Sequence, residues 1–535
     1  MCLCRRFKGC SPSLQVAAGG SQQWLSEMDV HRPRVGFRPG PREQNPAYAP
    51  AHSPCTYFWA VEQLERMKLY AAALDFDPIA EEFGVERDFP AALHREAAAA
   101  RDRFADQRVD LRDMPFVTVD PVGSRDLDQA VYIERRDSGF LVHYAIADVA
   151  AFITPGSELE RVSLERGQTI YLPDSPARLH PQEISEGSAS LLEGQDRPAV
   201  VWSIDLDEAG EVTGADVRRA LVRSRARLDY DQAQADLDRG CLHPSIQHLP
   251  AVGRLRQESA LRREAINLSI PSQRVVRVPG EDTDGHFEVI IEPRHPIMDY
   301  NSEISLLTGM VAGTMMVQAG HGLLRTLAPA TEDSESMFRF EAGALGYDLP
   351  VDQPIGEFLQ SVDPNNPTGM AIQREAQKLL RGSGYVSIAT GGTEVHNGVG
   401  GFYAHVTAPL RRLVDRFATE HCLAIAGGYD VPAWVLDTEE AVLESMKRTS
   451  QLASQVDNAC LDLAEATVLR PWVGQNFTGV VLSSEEERST ARLFIVDPPV
   501  FARCQGAPQA GTRRKFTLIT ADPVTRTVQF AWPAD

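Results

Sequence analysis

Through residues 61–74 the apolar positions Val61, Leu64, Met67, Ala71 and Leu74 recur with the period of one helix face. Asp77 and Pro78 then open a short helix that Gly84 stops, and a further helix is expected over 91–105. Helix, glycine turn, helix is the outline of a helix-turn-helix, and equally of a packing hairpin with no nucleic-acid role. Both readings stay open. Beyond it the period shortens to β type: 116–120, 130–133 and 141–146 are short apolar runs, the last two joined by the turn Asp137-Ser138-Gly139. Helical spacing returns over 302–317, 370–380, 409–426 and 439–468. After Pro471, strand-like runs at 477–482, 491–496, 515–519 and 527–531 crowd together as the strands of a small β-barrel of OB type do. Residues 1–55 lack periodicity, carry Gly19-Gly20 and prolines from Pro12 to Pro54, and read as a disordered tail.

The chain has 535 residues, room for several domains, and its 43% apolar and 24% charged residues exclude wholesale disorder and a coiled-coil rod. No apolar run is long enough to cross a bilayer; the best candidate, 304–317, is interrupted by Ser305, Thr308, Gly309, Gly313 and Thr314 and reads as a core helix. The basic N-terminus, Met1-Cys2-Leu3-Cys4-Arg5-Arg6, is followed by no apolar stretch and is not a secretory signal. A cytoplasmic protein with no membrane partner is expected, acting as a monomer. Its eight cysteines include no C-x-x-C pair, which suits free thiols in a reducing compartment. With 53 basic against 74 acidic residues the net charge is −21, which by itself argues against nucleic acid.

The chemistry concentrates in Asp120-Pro-Val-Gly-Ser-Arg-Asp126-Leu-Asp128-Gln129. A strand ends on Asp120, and a Pro/Gly loop folds Asp126 and Asp128 back towards it. Converging carboxylates repel one another unless a cation sits between them. Oxygen ligands without His or Cys favour Mg²⁺, or Mn²⁺, over zinc. The alternative is a solvated acidic turn; the spacing does not fit a calcium loop.

These residues, followed in order by Ala147-Asp148-Val149, Pro155-Gly156-Ser157, Tyr171-Leu172-Pro173-Asp174, Glu183-Ile184-Ser185, Ala189-Ser190-Leu191, Arg227-Leu228-Asp229-Tyr230 and Tyr403-Ala404-His405-Val406-Thr407-Ala408-Pro409-Leu410-Arg411-Arg412, resemble the catalytic RNB domain of the ribonuclease II / ribonuclease R family. The resemblance covers about residues 89–470, and ordered motifs are far more specific than any one alone. It implies a processive 3′→5′ exoribonuclease that hydrolyses single-stranded RNA, and RNA with a structured body and a 3′ overhang, to nucleoside 5′-monophosphates. Asp120, Asp126 and Asp128 would hold Mg²⁺, Tyr171 would stack on the last nucleotide, and Arg411 would contact the scissile phosphate. Arg412 would bind a neighbouring phosphate or pair with an acid on its own helix.

The implied fold is α+β and multidomain: the tail 1–55, a helical and optionally helix-turn-helix N-terminal module at 56–100, a mixed α/β RNB catalytic core at 101–473, and an S1-like OB barrel at 474–535. Arginines at 218, 219, 223, 225 and 227, at 262–263, and the group Arg513-Arg514-Lys515 between barrel strands would offset the negative field for RNA. One departure falls inside the site. The family pattern has a fourth aspartate where this chain has Gln129, whose amide oxygen could ligate a cation without adding charge, so weaker metal affinity is expected. The family's second stacking aromatic has no match in 328–338. The rival readings are a non-catalytic RNA-binding protein with a degenerate RNB metal site, and a metalloprotein acting on small phosphoesters.

Overall fold

The computed structural model describes residues 69–278 and 286–533. Its centre is a five-stranded sheet in the order Val109–Asp110, Val212–Arg223, Asp196–Leu206, Gly139–Ala147, Gln129–Arg136. All nine residues of Gly139–Ala147 are buried, because both sheet faces are covered. Phe140, Val142, Tyr144 and Ile146 pack with Trp202, Ile304 and Phe417 on one side. Ala145 and Ala147 pack with Leu93, Phe116 and Leu159 on the other. The expected turn is there: Arg136 pairs with Gly139 across Asp137-Ser138. Gly139 has φ +110, and a Cβ on it would lie 1.9 Å from the Leu206 carbonyl oxygen, so only glycine fits.

The long hairpin Asp196–Leu206 / Val212–Arg223 corrects the reading of the arginine-rich stretch as a free basic surface. Arg219 is buried against Asp148 (3.1 Å) and Glu420, Arg223 and Arg218 pair with Asp196 and Asp216, and Arg225 and Arg227 donate to the Arg112 and Ser124 carbonyls. Arg262 pairs with Glu211, and Arg263 donates to the Val399 carbonyl. Arg219 is spent inside the fold, whereas Arg218, Arg223, Arg225, Arg227 and Arg262 keep solvent-facing side chains that already have partners.

The helix expected at 302–317 runs from Pro296 to Ala319. A Cβ at Gly309 would meet the Tyr403 ring at 2.3 Å, and one at Gly313 the Tyr403 backbone nitrogen at 2.7 Å. The glycines that interrupt the apolar run therefore let the segment leading to His405 cross this helix closely. No helix among the described residues is long and apolar enough to cross a membrane. The helix expected from 409 begins at Leu413 and ends at Gly427, because Ala408–Arg412 form a turn closed by the Arg411 and Arg412 amides on the Ala408 carbonyl. A 37-residue helix, Ala433–Leu469, follows.

Most of the helix expected over 61–74 lies outside the described residues, and its described part differs. Leu69–Tyr70 is a strand, paired in parallel with Ser272–Val278, which supplies backbone partners that a local helix would otherwise provide. Helices form at Asp77–Glu82 and Ala91–Ala99, the second ending before the expected 105. They are not a helix-turn-helix hairpin. Ile79 and Ala80 bury against the long helix at Val456 and Cys460, whereas Leu93 and Ala97 join the core beneath the sheet. The tail 1–55 lies outside the described residues.

At the C-terminal end, five strands close a barrel in the order Asn476–Glu485, Thr490–Ile495, Val500–Gln505, Thr527–Ala531, Arg513–Asp522. Val500–Gln505 is the strand the sequence reading lacked. Arg513, Arg514 and Lys515 are exposed and open a barrel strand, paired with Val480, Gly479 and Thr478, rather than sitting in a loop between strands. The barrel is tied to the helical part by Arg492, which binds Glu341 and Glu375.

Candidate active site

Three chain segments meet at the site. The first begins with the buried strand Thr118–Asp120, paired in parallel with Arg227–Asp229. After the turn at Pro121–Ser124, Leu127 is fully buried in the core. Its amide donates to Ser190 Oγ at 3.0 Å, and the same hydroxyl donates to the Arg125 carbonyl at 2.6 Å. The Leu191 amide closes onto the Leu127 carbonyl. Anchoring Leu127 from both sides fixes its neighbours Asp126 and Asp128.

The second and third segments are ribs of one ladder. Thr169 donates its amide to the Arg411 carbonyl, and Leu413 donates its amide to the Gly167 carbonyl, both at 2.9 Å. Tyr171, two residues beyond the Thr169–Arg411 rung, pairs in turn with Pro176. Three side chains pin the 407–412 turn. Asp128 Oδ1 accepts from the Leu410 amide at 2.8 Å, Asp415 Oδ1 accepts from the Ala408 amide at 2.6 Å, and Gln129 Nε2 donates to the Thr407 carbonyl at 2.6 Å. Arg411 Nε stands 3.4 Å from Asp128 Oδ2. Arg412 takes the second of its two expected roles: it forks onto Asp415, Nε to Oδ2 at 3.0 Å and a terminal nitrogen to Oδ1 at 2.9 Å.

The electrostatics follow from this crowding. Burial pushes the Asp128 carboxyl well above its ordinary value; Arg411 and the Leu410 amide oppose the shift, while Asp126 and Asp415 reinforce it. Burial also raises Asp126, against Arg178 and Arg411. Burial raises the Tyr171 hydroxyl too, with Arg411 opposing and both aspartates adding to it, so the four groups share one field. Asp126 Oδ1 is buried without a hydrogen-bond partner. An orphaned carboxylate oxygen beside a second, like-charged carboxylate fits a hard divalent cation. The fit is partial: among the described residues no group of three or more His, Cys, Asp or Glu side chains is spaced to hold a metal ion. Gln129, expected as an amide-oxygen ligand, uses its amide nitrogen on Thr407.

Tyr171 and Arg412 also belong to the wall of a cavity of about 1210 Å³. Arg325, Arg381 and Lys447 line it as well, with Arg374, Lys378 and Arg492 held by Glu465, Glu341 and Glu375, so that the cations on the wall outnumber its acids Glu375, Glu444 and Asp457. Tyr385 lines it with its hydroxyl 2.8 Å from His405 Nδ1 and its ring under Arg325. Of the expected site residues, Asp126, Asp128, Tyr171, Arg411 and Arg412 come together. Asp120 ends the adjoining strand, and Arg513, Arg514 and Lys515 sit on the barrel. Sequence reasoning carried Ser190 and His405 only as motif residues without a role, and missed Asp415 and Tyr385. Asp415 had a usable signal, an acid three residues after Arg412 at a helix start.

The RNB domain family model matches residues 108–420, more than half of the chain, and the RNase II-type exonuclease C-terminal S1 domain matches residues 475–532. Ribonuclease R of Escherichia coli is 28% identical over 425 residues, covering 74% of this chain and 51% of that protein. The chain thus spans about half the length of the curated relatives it matches. Among solved structures, Mycoplasma genitalium RNase R in complex with ribose-methylated single-stranded RNA superposes with TM-score 0.73 at 17% identity, covering 85% of this chain and 77% of that one. Yeast Ssd1, described as a pseudonuclease, superposes with TM-score 0.60 at 15% identity, over 81% and 55% of the two chains. With a matching RNB domain, a C-terminal S1 barrel and ribonuclease R relatives along most of its length, the chain belongs to the ribonuclease II / ribonuclease R family.

Proposed function

We propose that this protein is a divalent-metal-dependent 3′→5′ exoribonuclease that threads single-stranded RNA, including 3′ overhangs of structured RNA, and releases nucleoside 5′-monophosphates. The observation that carries the reading is the convergence of Asp126, Asp128, Arg411 and Tyr171 beside a cavity with a basic lining. Asp126 and Asp128 would hold the cation, with Asp120 as the third carboxylate. Bound Mg²⁺ or Mn²⁺ would supply a hydroxide at neutral pH and offset charge on the phosphoryl oxygens. Tyr171 offers the terminal base an aromatic face, a sequence-tolerant grip of roughly 1–3 kcal/mol. Arg411, oriented by Asp128, would receive the developing phosphoryl charge. Breaking the bond to the 3′ oxygen of the preceding ribose leaves the phosphate on the departing nucleotide, hence a 5′-monophosphate. Arg325, Arg381 and Lys447 on the cavity wall would hold the upstream phosphates and favour repeated turnover on one strand.

The test is 5′-labelled single-stranded RNA incubated with Mg²⁺. A shortening ladder that EDTA stops, and that Asp128→Asn abolishes while RNA binding persists, is the expected result. RNA bound but never shortened would refute catalysis and favour the non-catalytic binder, the reading to which the likeness to Ssd1 and the partial metal fit lend weight.

A further inference from the structure

Gln129 begins the edge strand Gln129–Arg136, directly after Asp128, and its side chain makes a contact that no carboxylate could make. The Thr407 carbonyl only accepts, so the atom 2.6 Å from it must be the amide nitrogen, the donor. Thr407 is buried, and it opens the segment that carries Arg411. Three bonds thus hold that segment in series: Gln129 at 407, Asp415 at 408 and Asp128 at 410. Asp128 and Gln129 are adjacent, so one two-residue stretch grips the turn on both sides of Ala408 and Pro409. Arg411 in turn stands beside Asp128. Loosening the grip at 407 would let the turn pivot about 410 and shift the guanidinium relative to Asp128.

We propose that Gln129 is a positioning residue that places Arg411 for the RNA phosphate through its hydrogen bond to the Thr407 carbonyl, and not a ligand of the metal. This rests on the exoribonuclease reading for the identity of the substrate, but its core claim concerns binding and holds without turnover. An isosteric exchange separates the two roles with opposite signs. Gln129→Glu replaces the donor by an oxygen facing a carbonyl oxygen, which breaks the clamp. The same exchange would give a metal ligand a full charge and tighten cation binding.

The experiment measures the affinity of a fluorescein-labelled single-stranded oligonucleotide by anisotropy in EDTA, for the wild type, Gln129→Glu, Gln129→Ala, Arg411→Ala and the Gln129→Glu/Arg411→Ala double variant. Loss of one buried hydrogen bond with an added repulsion is expected to weaken binding about tenfold in Gln129→Glu and less in Gln129→Ala. The double variant should bind no worse than Arg411→Ala alone, because Gln129 acts through that arginine. Isothermal titration with Mg²⁺ in the absence of RNA should give the same affinity for wild type and Gln129→Glu. Unchanged RNA affinity in Gln129→Glu, a loss that adds in full to that of Arg411→Ala, or tighter Mg²⁺ binding in Gln129→Glu would each overturn the assignment. A wild type that binds RNA in EDTA without degrading it in Mg²⁺ would defeat the proposed function and leave this inference standing.

Discussion

Replacing Asp415 by alanine removes the side chain on which the 407–412 turn closes. Asp415 is fully buried and accepts from the Ala408 amide while receiving both prongs of the Arg412 guanidinium. Burial works to discharge Arg412, and the adjacent Asp415 more than offsets it, leaving that guanidinium more basic than an ordinary arginine. In Asp415→Ala the guanidinium is left without its counter-charge and the Ala408 amide without its acceptor. Breaking a buried pair from one side costs about 3–5 kcal/mol, and an unsatisfied amide about 1–3 kcal/mol, overlapping terms that do not simply add. Because the 407–412 turn is local, that cost should surface as local opening rather than global unfolding. Hydrogen exchange read by mass spectrometry is the assay. Peptides spanning 407–413 should exchange at least a hundredfold faster in Asp415→Ala, since each 1.4 kcal/mol is tenfold. Asp415→Asn keeps an acceptor and should fall between the two. RNA hydrolysis should drop in the same order. Exchange and hydrolysis within twofold of wild type in Asp415→Ala would show that the turn is held elsewhere.

Two further outcomes test other parts of the fold. Glu303, buried on the Pro296–Ala319 helix with Asn267 donating to it at 3.1 Å, has its pKa raised by burial to about 7. A raised carboxyl binds its proton more tightly folded than unfolded, so its stabilising contribution is full below its ordinary pKa near 4.5 and is lost as pH rises through about 7. Urea melts from pH 4 to 8 should show Glu303→Gln losing less stability than wild type across that window, by up to roughly 3 kcal/mol; parallel curves would contradict the burial argument. Gly139→Ala drives a methyl into the Leu206 carbonyl at a left-handed backbone position and should lower the melting temperature by well over the effect of about 1 kcal/mol expected at an open glycine, with an unchanged melt refuting the close approach.

What the sequence disclosed follows a physical division. The strands around 130–133 and 141–146 and most barrel strands were legible because their short apolar runs are local. Val500–Gln505 was not, since Arg503 and Gln505 on its outer face dilute the apolar signal. The arginines after 218 show the limit of charge density as a guide. The partners of Arg219 lie 71 and 201 residues away, and nothing in its own neighbourhood announces them. Leu69–Tyr70 likewise takes its partner from beyond residue 270. The carboxylates of the site were legible as a motif, and Tyr171, Arg411 and both of the aspartates nearest Gln129 do converge. The roles of Ser190 and Gln129 were hidden because each bonds a backbone atom, and main-chain partners leave no trace in residue identity; Asp415, paired with Arg412 three residues before it, could have been found.

The pairing of 167–169 with 411–413 ties the stretch leading to Tyr171 to the stretch that carries Arg411 through main-chain bonds. Arg411 sits on a rung of this short ladder and Tyr171 two residues past it, so, on the proposed reading, the step from base to phosphate would be measured in peptide units and not in the reach of flexible side chains. Side-chain exchanges at Gln168 or Thr169 keep the main-chain rungs even where they cost the bonds to Thr449 and Leu179, whereas inserting a single residue between 167 and 171 would carry the Tyr171 ring out of step with Arg411.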